Sequence, residues 1–146
     1  MNLDLDVKLA IYHATAESGT PPAAGAVARR VGAPEAEVID AYQRLAGSRL
    51  LVLEKDGATI RMAPPFSGVP TQHRVRANGI EYFANCAWDA FGIPAALHAP
   101  AEITSRCEQS GEPLRVRVGV DGPPASSWLF HCLVPAAAWW KDIVFT

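Results

Sequence analysis

Cys86 and Asp89 stand three residues apart in the stretch YFANCAWDAFGIP, residues 82–94. The apolar spacing there is helical, and on an α-helix residues i and i+3 share a face. A soft nucleophilic sulfur and a proton carrier would therefore reach the same bound atom. That pairing suits a thiophilic metal. Breaking a carbon–metal bond needs soft ligands pulling on the metal while a proton reaches the departing carbanion. A carboxyl beside a thiol can take the thiol proton and return it to carbon. The competing reading makes Cys86 an inert core thiol, because free cysteine is among the most buried residue types, and Asp89 an acid on a helix surface.

Further motifs follow in order. After Cys86-Ala87-Trp88-Asp89 come Pro94-Ala95-Ala96 and then Cys107-Glu108-Gln109-Ser110-Gly111-Glu112-Pro113. From Ile80 to Val118 this order resembles the organomercurial (alkylmercury) lyase family, whose core carries a C-A-x-D helix, a P-A-x turn and a C-x-x-[ST]-G-x-P hairpin. The resemblance implies action on carbon–mercury bonds with no cofactor required, mercury itself being bound as substrate or product. It sets Cys86 on the family's first metal-binding cysteine, Asp89 on its proton-shuttling aspartate and Cys107 on a cysteine of structural role. The family's second mercury-gripping cysteine falls at Ala125 or Ser126 when Val134-Pro135 is set on the strand ending in V-P, so the sequence departs from the pattern there. Cys132, beside His131, is then either a relocated second metal ligand or a core residue of an apolar strand. His131 offers a proton acceptor next to it.

Other chemistries lack their signatures. There is no P-loop, no G-x-G-x-x-G after a strand and no G-x-S-x-G elbow. His13, His73 and His98 have no i, i+4 or C-x-x-C companion, which argues against a structural zinc. Trp88, Trp128, Trp139 and Trp140 read as core and rim aromatics, in surroundings that suit an alkyl or aryl group on a metal.

The elements that must carry these residues begin with helices. Leu3 to Ala16 places Val7, Ala10, Ile11 and Ala14 on one stripe. Pro22 to Val31 predicts a second helix closed by Gly32 as a left-handed cap, and Ala33-Pro34 opens a third with Val38, Ala41, Tyr42 and Leu45. Leu50 to Glu54 and Thr59 to Ala63 flank Lys55-Asp56-Gly57, a hairpin signal. Three helices and a hairpin are the order of a winged helix-turn-helix over residues 1–63. Its recognition helix, Pro34 to Gly47, would expose Glu35, Glu37 and Asp40 where a DNA reader offers basic groups, so nucleic acid is not the expected partner. The resembled family likewise begins with a small helical winged region that does not serve DNA recognition.

Residues 64–70 read as a Pro-rich linker. Beyond it the sequence predicts a strand at His73–Val75, the motif helix at Ile80–Phe91 and a strand at Ile103–Arg106. A turn at Glu108–Pro113 and an alternating strand from Leu114 to Val120 follow. Trp128–Val134 reads as an apolar strand, Pro135–Asp142 as a short Trp-rich helix, and Ile143–Thr146 as a further buried strand. The expected class is α+β: an N-terminal winged-helix-like three-helix module, then a small mixed α/β lyase-like core over 71–146 that is C-terminally short. An open final strand would also be an edge for pairing with a second copy, a homodimer.

A chain of 146 residues with 49% hydrophobic content is enough for one ordinary domain or two very small ones. Net charge is −2, and no basic run exceeds Arg29-Arg30. The acidic N-terminus and the lack of a spanning apolar run predict a cytoplasmic protein with no membrane partner, and three cysteines without an export signal predict free thiols. A small organometallic or apolar molecule is the expected ligand. Two other functions fit the same residues: a winged-helix regulator with a lyase-like metal- or ligand-sensing half, and a biosynthetic enzyme reusing the lyase fold on a metal-free substrate.

Overall fold

The structure is a computed structural model that describes residues 2–145. Helix α1 (Leu3–Ser18) starts at Asn2, whose side chain accepts from the N–H groups of Asp4 and Leu5 at 3.1 and 3.4 Å. Asp4 and Asp6 in its first turn complement the helix dipole. The buried stripe is Val7, Ala10, Ile11 and Thr15. Thr15 is tolerated because its hydroxyl donates to Ile11 O at 2.7 Å. The helix ends at Gly19 with φ 90°, where a Cβ would also collide with the Glu81 carbonyl oxygen. Glycine is needed there on both counts.

Helix α2 (Ala24–Val31) ends at the left-handed Gly32, as expected, and α3 (Glu35–Gly47) buries Val38, Ala41, Tyr42 and Leu45. The three helices pack on one another around Val7, Ile11, Val27, Val38 and Tyr42. Burying each such side chain contributes about 1.5–3 kcal/mol. Strands β1 (Val52–Leu53) and β2 (Ile60–Ala63) form the hairpin, with Gly57 at φ 69° in its turn.

The 64–70 stretch is packed, not a free connector. Strand β3 (Phe66–Ser67) pairs antiparallel with β2, and both its residues are buried. Phe66 packs between Tyr12 and Tyr82, with ring centroids 6.3 and 5.5 Å away. The prolines confine this strand to the edge of its sheet, in the order β1-β2-β3.

A second antiparallel sheet runs β5-β4-β6-β7, from β4 (Arg74–Ala77), β5 (Ile80–Phe83), β6 (Ala101–Arg106) and β7 (Pro113–Val118). Helix α4 (Ala87–Leu97) covers one face, burying Ala90 and Ile93 against Val75, Tyr82 and Ile103. The other face carries Arg74, Arg76, Arg115 and Arg117 around Glu81 and Glu102, with ion pairs of 3.6–3.7 Å. Exposed pairs of this kind contribute little to stability. The N-terminal unit meets this sheet through Tyr82, whose hydroxyl donates to Ala16 O at 2.6 Å.

Four expectations are corrected. Ile80–Phe91 is not one helix: its first part is strand β5, paired through Val75 and Tyr82 to β4, and the helix begins only at Ala87. Pro94-Ala95 lies inside that helix and not in a turn. Trp128–Val134 forms no strand, since it has no pairing partner, and Leu129 and Leu133 stand 93% and 76% exposed. Ile143–Phe145 is a turn with Val144 and Phe145 exposed, and Thr146 lies outside the described residues. Between these two, Ala136–Lys141 is the expected short Trp-rich helix, of 3-10 form.

Candidate functional site

Strand β5 hands the chain to α4 through residues 84–86, a crossing pinned from both sides. Ala84 N–H donates to His73 O at 2.9 Å, and Asn85 N–H donates to Pro65 O at 3.4 Å. Cys86 then adopts extended backbone, φ −150° and ψ 178°, and serves as the N-cap of α4, with Ala90 N–H donating to its carbonyl at 3.1 Å. Its sulfur occupies the place where serine or aspartate would cap a helix, at the positive end of the dipole. Asp89, in the first turn, follows one turn later.

Both groups are half-buried, and burial dominates their electrostatics. It pushes the Cys86 thiol up; the backbone N–H groups of Asp89 and Trp88 oppose this by favouring thiolate, without completing a cap hydrogen bond. The negative charges of Asp89 and, more weakly, Cys132 add to the rise. Burial also raises the Asp89 carboxyl, with the Asn85 side chain, placed to hydrogen-bond it, pulling the other way. A protonated thiol next to a carboxyl of raised basicity is a pair between which a proton can pass.

Cys132 is exposed, in a segment without regular structure. Phe130, two residues before it, packs on Trp88 with ring centroids 5.4 Å apart. His131 is exposed, as are Ala125 and Ser126.

Cys107 does not join Cys86 and Asp89. It opens the hairpin turn between β6 and β7, its N–H donating to Glu112 O at 2.9 Å. The Ser110 hydroxyl and the N–H groups of Ser110 and Gln109 hold its thiol below the usual range. Its hydrogen bonds are all to residues of that turn. All three cysteines are free, as expected. No group of three or more His, Cys, Asp or Glu placed to hold a metal is assembled among the described residues. No helix among them is long and apolar enough to cross a membrane.

Sequence reasoning missed two residues here. Tyr12 reaches over from α1, donates to Pro64 O at 2.8 Å, and has its hydroxyl pKa raised by burial and by the Asp89 charge. Nothing local marks it, since it sits beside the helix stripe like any half-buried tyrosine. Asn85 did carry a signal, as a polar residue interrupting an apolar run directly before the cysteine.

The alkylmercury lyase family model matches residues 66–146. The alkylmercury lyase of Streptomyces lividans is 38% identical over 52 residues, 36% of this chain and 24% of that protein. Those of Bacillus cereus and Staphylococcus epidermidis are 28% and 29% identical over 65% and 70% of the chain, which is 41% and 45% of their own lengths. The chain thus spans less than half the length of these relatives. A crystal structure of the mercury-bound form of MerB2 superimposes with a TM-score of 0.59 at 23% identity, covering 84% of this chain and 68% of that one, a likeness of fold. The motifs around Cys86 and Cys107 lie within the matched region, and with more than half of the sequence inside the family model, this chain belongs to the alkylmercury lyase family.

Proposed function

We propose that this protein captures organomercury at Cys86 and cleaves its carbon–mercury bond by protonolysis, with Asp89 carrying the proton. The observation that bears most weight is the N-cap thiol of α4 with a half-buried carboxyl one turn along the same helix. Mercury bonds to the Cys86 sulfur as its S–H bond breaks and the proton passes to the Asp89 carboxylate. That proton then moves to the carbon, the electron pair of the C–Hg bond becomes the C–H bond, and the carboxylate returns. Mercury is left on sulfur and gains a second thiolate, for which Cys132 is the candidate within this chain. That the relatives are alkylmercury lyases supports the same chemistry.

In this reading the N-terminal unit is a winged-helix-like support and not a nucleic-acid reader. Its Tyr12 buttresses the site through Pro64, and its exposed Glu35 and Glu37 open α3. Trp88 and Phe91, exposed on α4, and Phe130 supply apolar surface for the organic group. The test is release of benzene from phenylmercury in the presence of excess small thiol, followed by proton NMR. Cys86→Ser should abolish it; undiminished release by that variant would assign the chemistry elsewhere.

A further inference from the structure

Strand β7 borders the second sheet and leaves its outer side open. It pairs with β6 alone, and among the described residues no other backbone group hydrogen-bonds to Pro113–Val118. The opposite border, β5, is covered: Tyr82 donates to Ala16 O, and Gly19 abuts the Glu81 carbonyl. The outward N–H and C=O groups along the six residues of β7 are a template for one further strand. Its two faces differ. Val116 and Val118 carry the buried cluster out to this border, while Arg115 and Arg117 lie on the other face with side chains 71% and 89% exposed. A single carboxylate, Glu102 on β6, serves both guanidiniums, at 3.6 and 3.7 Å, beyond hydrogen-bond range. The border thus keeps positive charge in excess.

We propose that the outer side of β7 takes an extended segment of another protein in which acidic residues alternate with apolar ones. Such a segment sets its acidic side chains opposite Arg115 and Arg117, where cross-strand neighbours lie about 4.5–5.5 Å apart between Cβ atoms. Its apolar residues continue the row of Leu114, Val116 and Val118. Backbone pairing supplies the affinity, and the charges supply the choice of partner. Charged residues on an edge commonly serve to keep strands away. Here both charges have one sign, so they select among partners. A second copy joined β7 to β7 about a two-fold axis would set Arg115 and Arg117 against their own counterparts, which is destabilising. An acidic strand meets no such opposition.

The experiment titrates the full chain at low salt with a fluorescein-labelled peptide of alternating glutamate and valine, and with its counterpart carrying lysine for glutamate. Fluorescence anisotropy should show saturable binding of the glutamate peptide, and binding of the lysine peptide weaker by about tenfold or more. Amide hydrogen exchange in Pro113–Val118 should slow on binding. Arg115→Glu with Arg117→Glu should reverse the preference, and Arg115→Gln with Arg117→Gln should weaken the glutamate peptide without reversing it. A glutamate peptide N-methylated at alternate residues keeps its charge but loses its pairing donors, and should fail to bind. No saturable binding marks an edge that only repels strands and overturns the proposal. Equal binding of the two peptides, or undiminished binding of the N-methylated one, also overturns it. Self-association of the peptide-free chain with protected β7 amides, read by sedimentation, would make a second copy the occupant and overturn it as well.

Discussion

The Trp88 and Phe130 rings pack with centroids 5.4 Å apart and planes tilted by 48°, which ties the irregular 128–134 stretch to the first turn of α4. This contact holds the stretch that carries Cys132 against the helix that Cys86 caps. Such an aromatic pair contributes about 0.5–1.5 kcal/mol beyond its buried area. Phe130→Ala should therefore change global stability little but release Cys132 from the site. X-ray absorption of the mercury(II)-loaded chain should count two sulfurs on the metal in the wild type and one in both Phe130→Ala and Cys132→Ser. One sulfur in the wild type alongside continued cleavage would mean that Cys132 is not the second ligand.

The three thiols should separate by reagent. Cys107, half-exposed, is held low by turn donors, whereas Cys86 is pushed up by burial. Iodoacetamide, which follows thiolate content and access, should label Cys107 before Cys86 near neutral pH. Phenylmercury at substoichiometric dose should instead collect on Cys86, where the carboxyl can take the displaced proton. Peptide mapping by mass spectrometry reads both, and mercury resting on Cys107 would remove Cys86 from its assigned place.

Stability should carry a histidine signature. His73 is buried with Nδ1 2.7 Å from the Ser105 hydroxyl, and burial pushes its pKa below 6.5, with Glu108 partly opposing. A depressed pKa means that the unfolded chain takes up the proton first. The stability His73 contributes is thus full above pH about 6.5 and is lost as pH falls through the lower folded value. Urea midpoints measured from pH 7.5 to 5 should decline in the wild type and decline less in His73→Gln. Equal slopes would place the acid sensitivity elsewhere.

Much of the N-terminal unit was legible because its signals are local: the Val7 and Ile11 stripe, and Gly32 at φ 72°. The spacing set Cys86 and Asp89 on one helical stretch, but Cys86 caps the helix and does not lie within it, and the roles offered for the pair came from the family resemblance. Strand β5 was misread because Ile80 to Phe83 is too short for periodicity to choose between helix and strand. The deciding signal was Asn78-Gly79, whose φ values of 52° and 75° are those of a tight hairpin turn. Trp128–Val134 was misread for another reason. An apolar run becomes a strand only where it pairs, and 128–134 does not take up the open edge of β7. Tyr12 meets Pro64 and Phe66 only through tertiary packing, which spacing along the chain does not record.

The central claim is that Asp89 moves a proton while Cys86 holds the metal, and one comparison tests it most directly. Phenylmercury binding and single-turnover benzene release are measured on the wild type and on Asp89→Asn, an isosteric change that removes the carboxyl proton. The account predicts binding within a few-fold of wild type and release slower by about 10² or more. Equal loss of binding and release, or release at the wild-type rate, would contradict it.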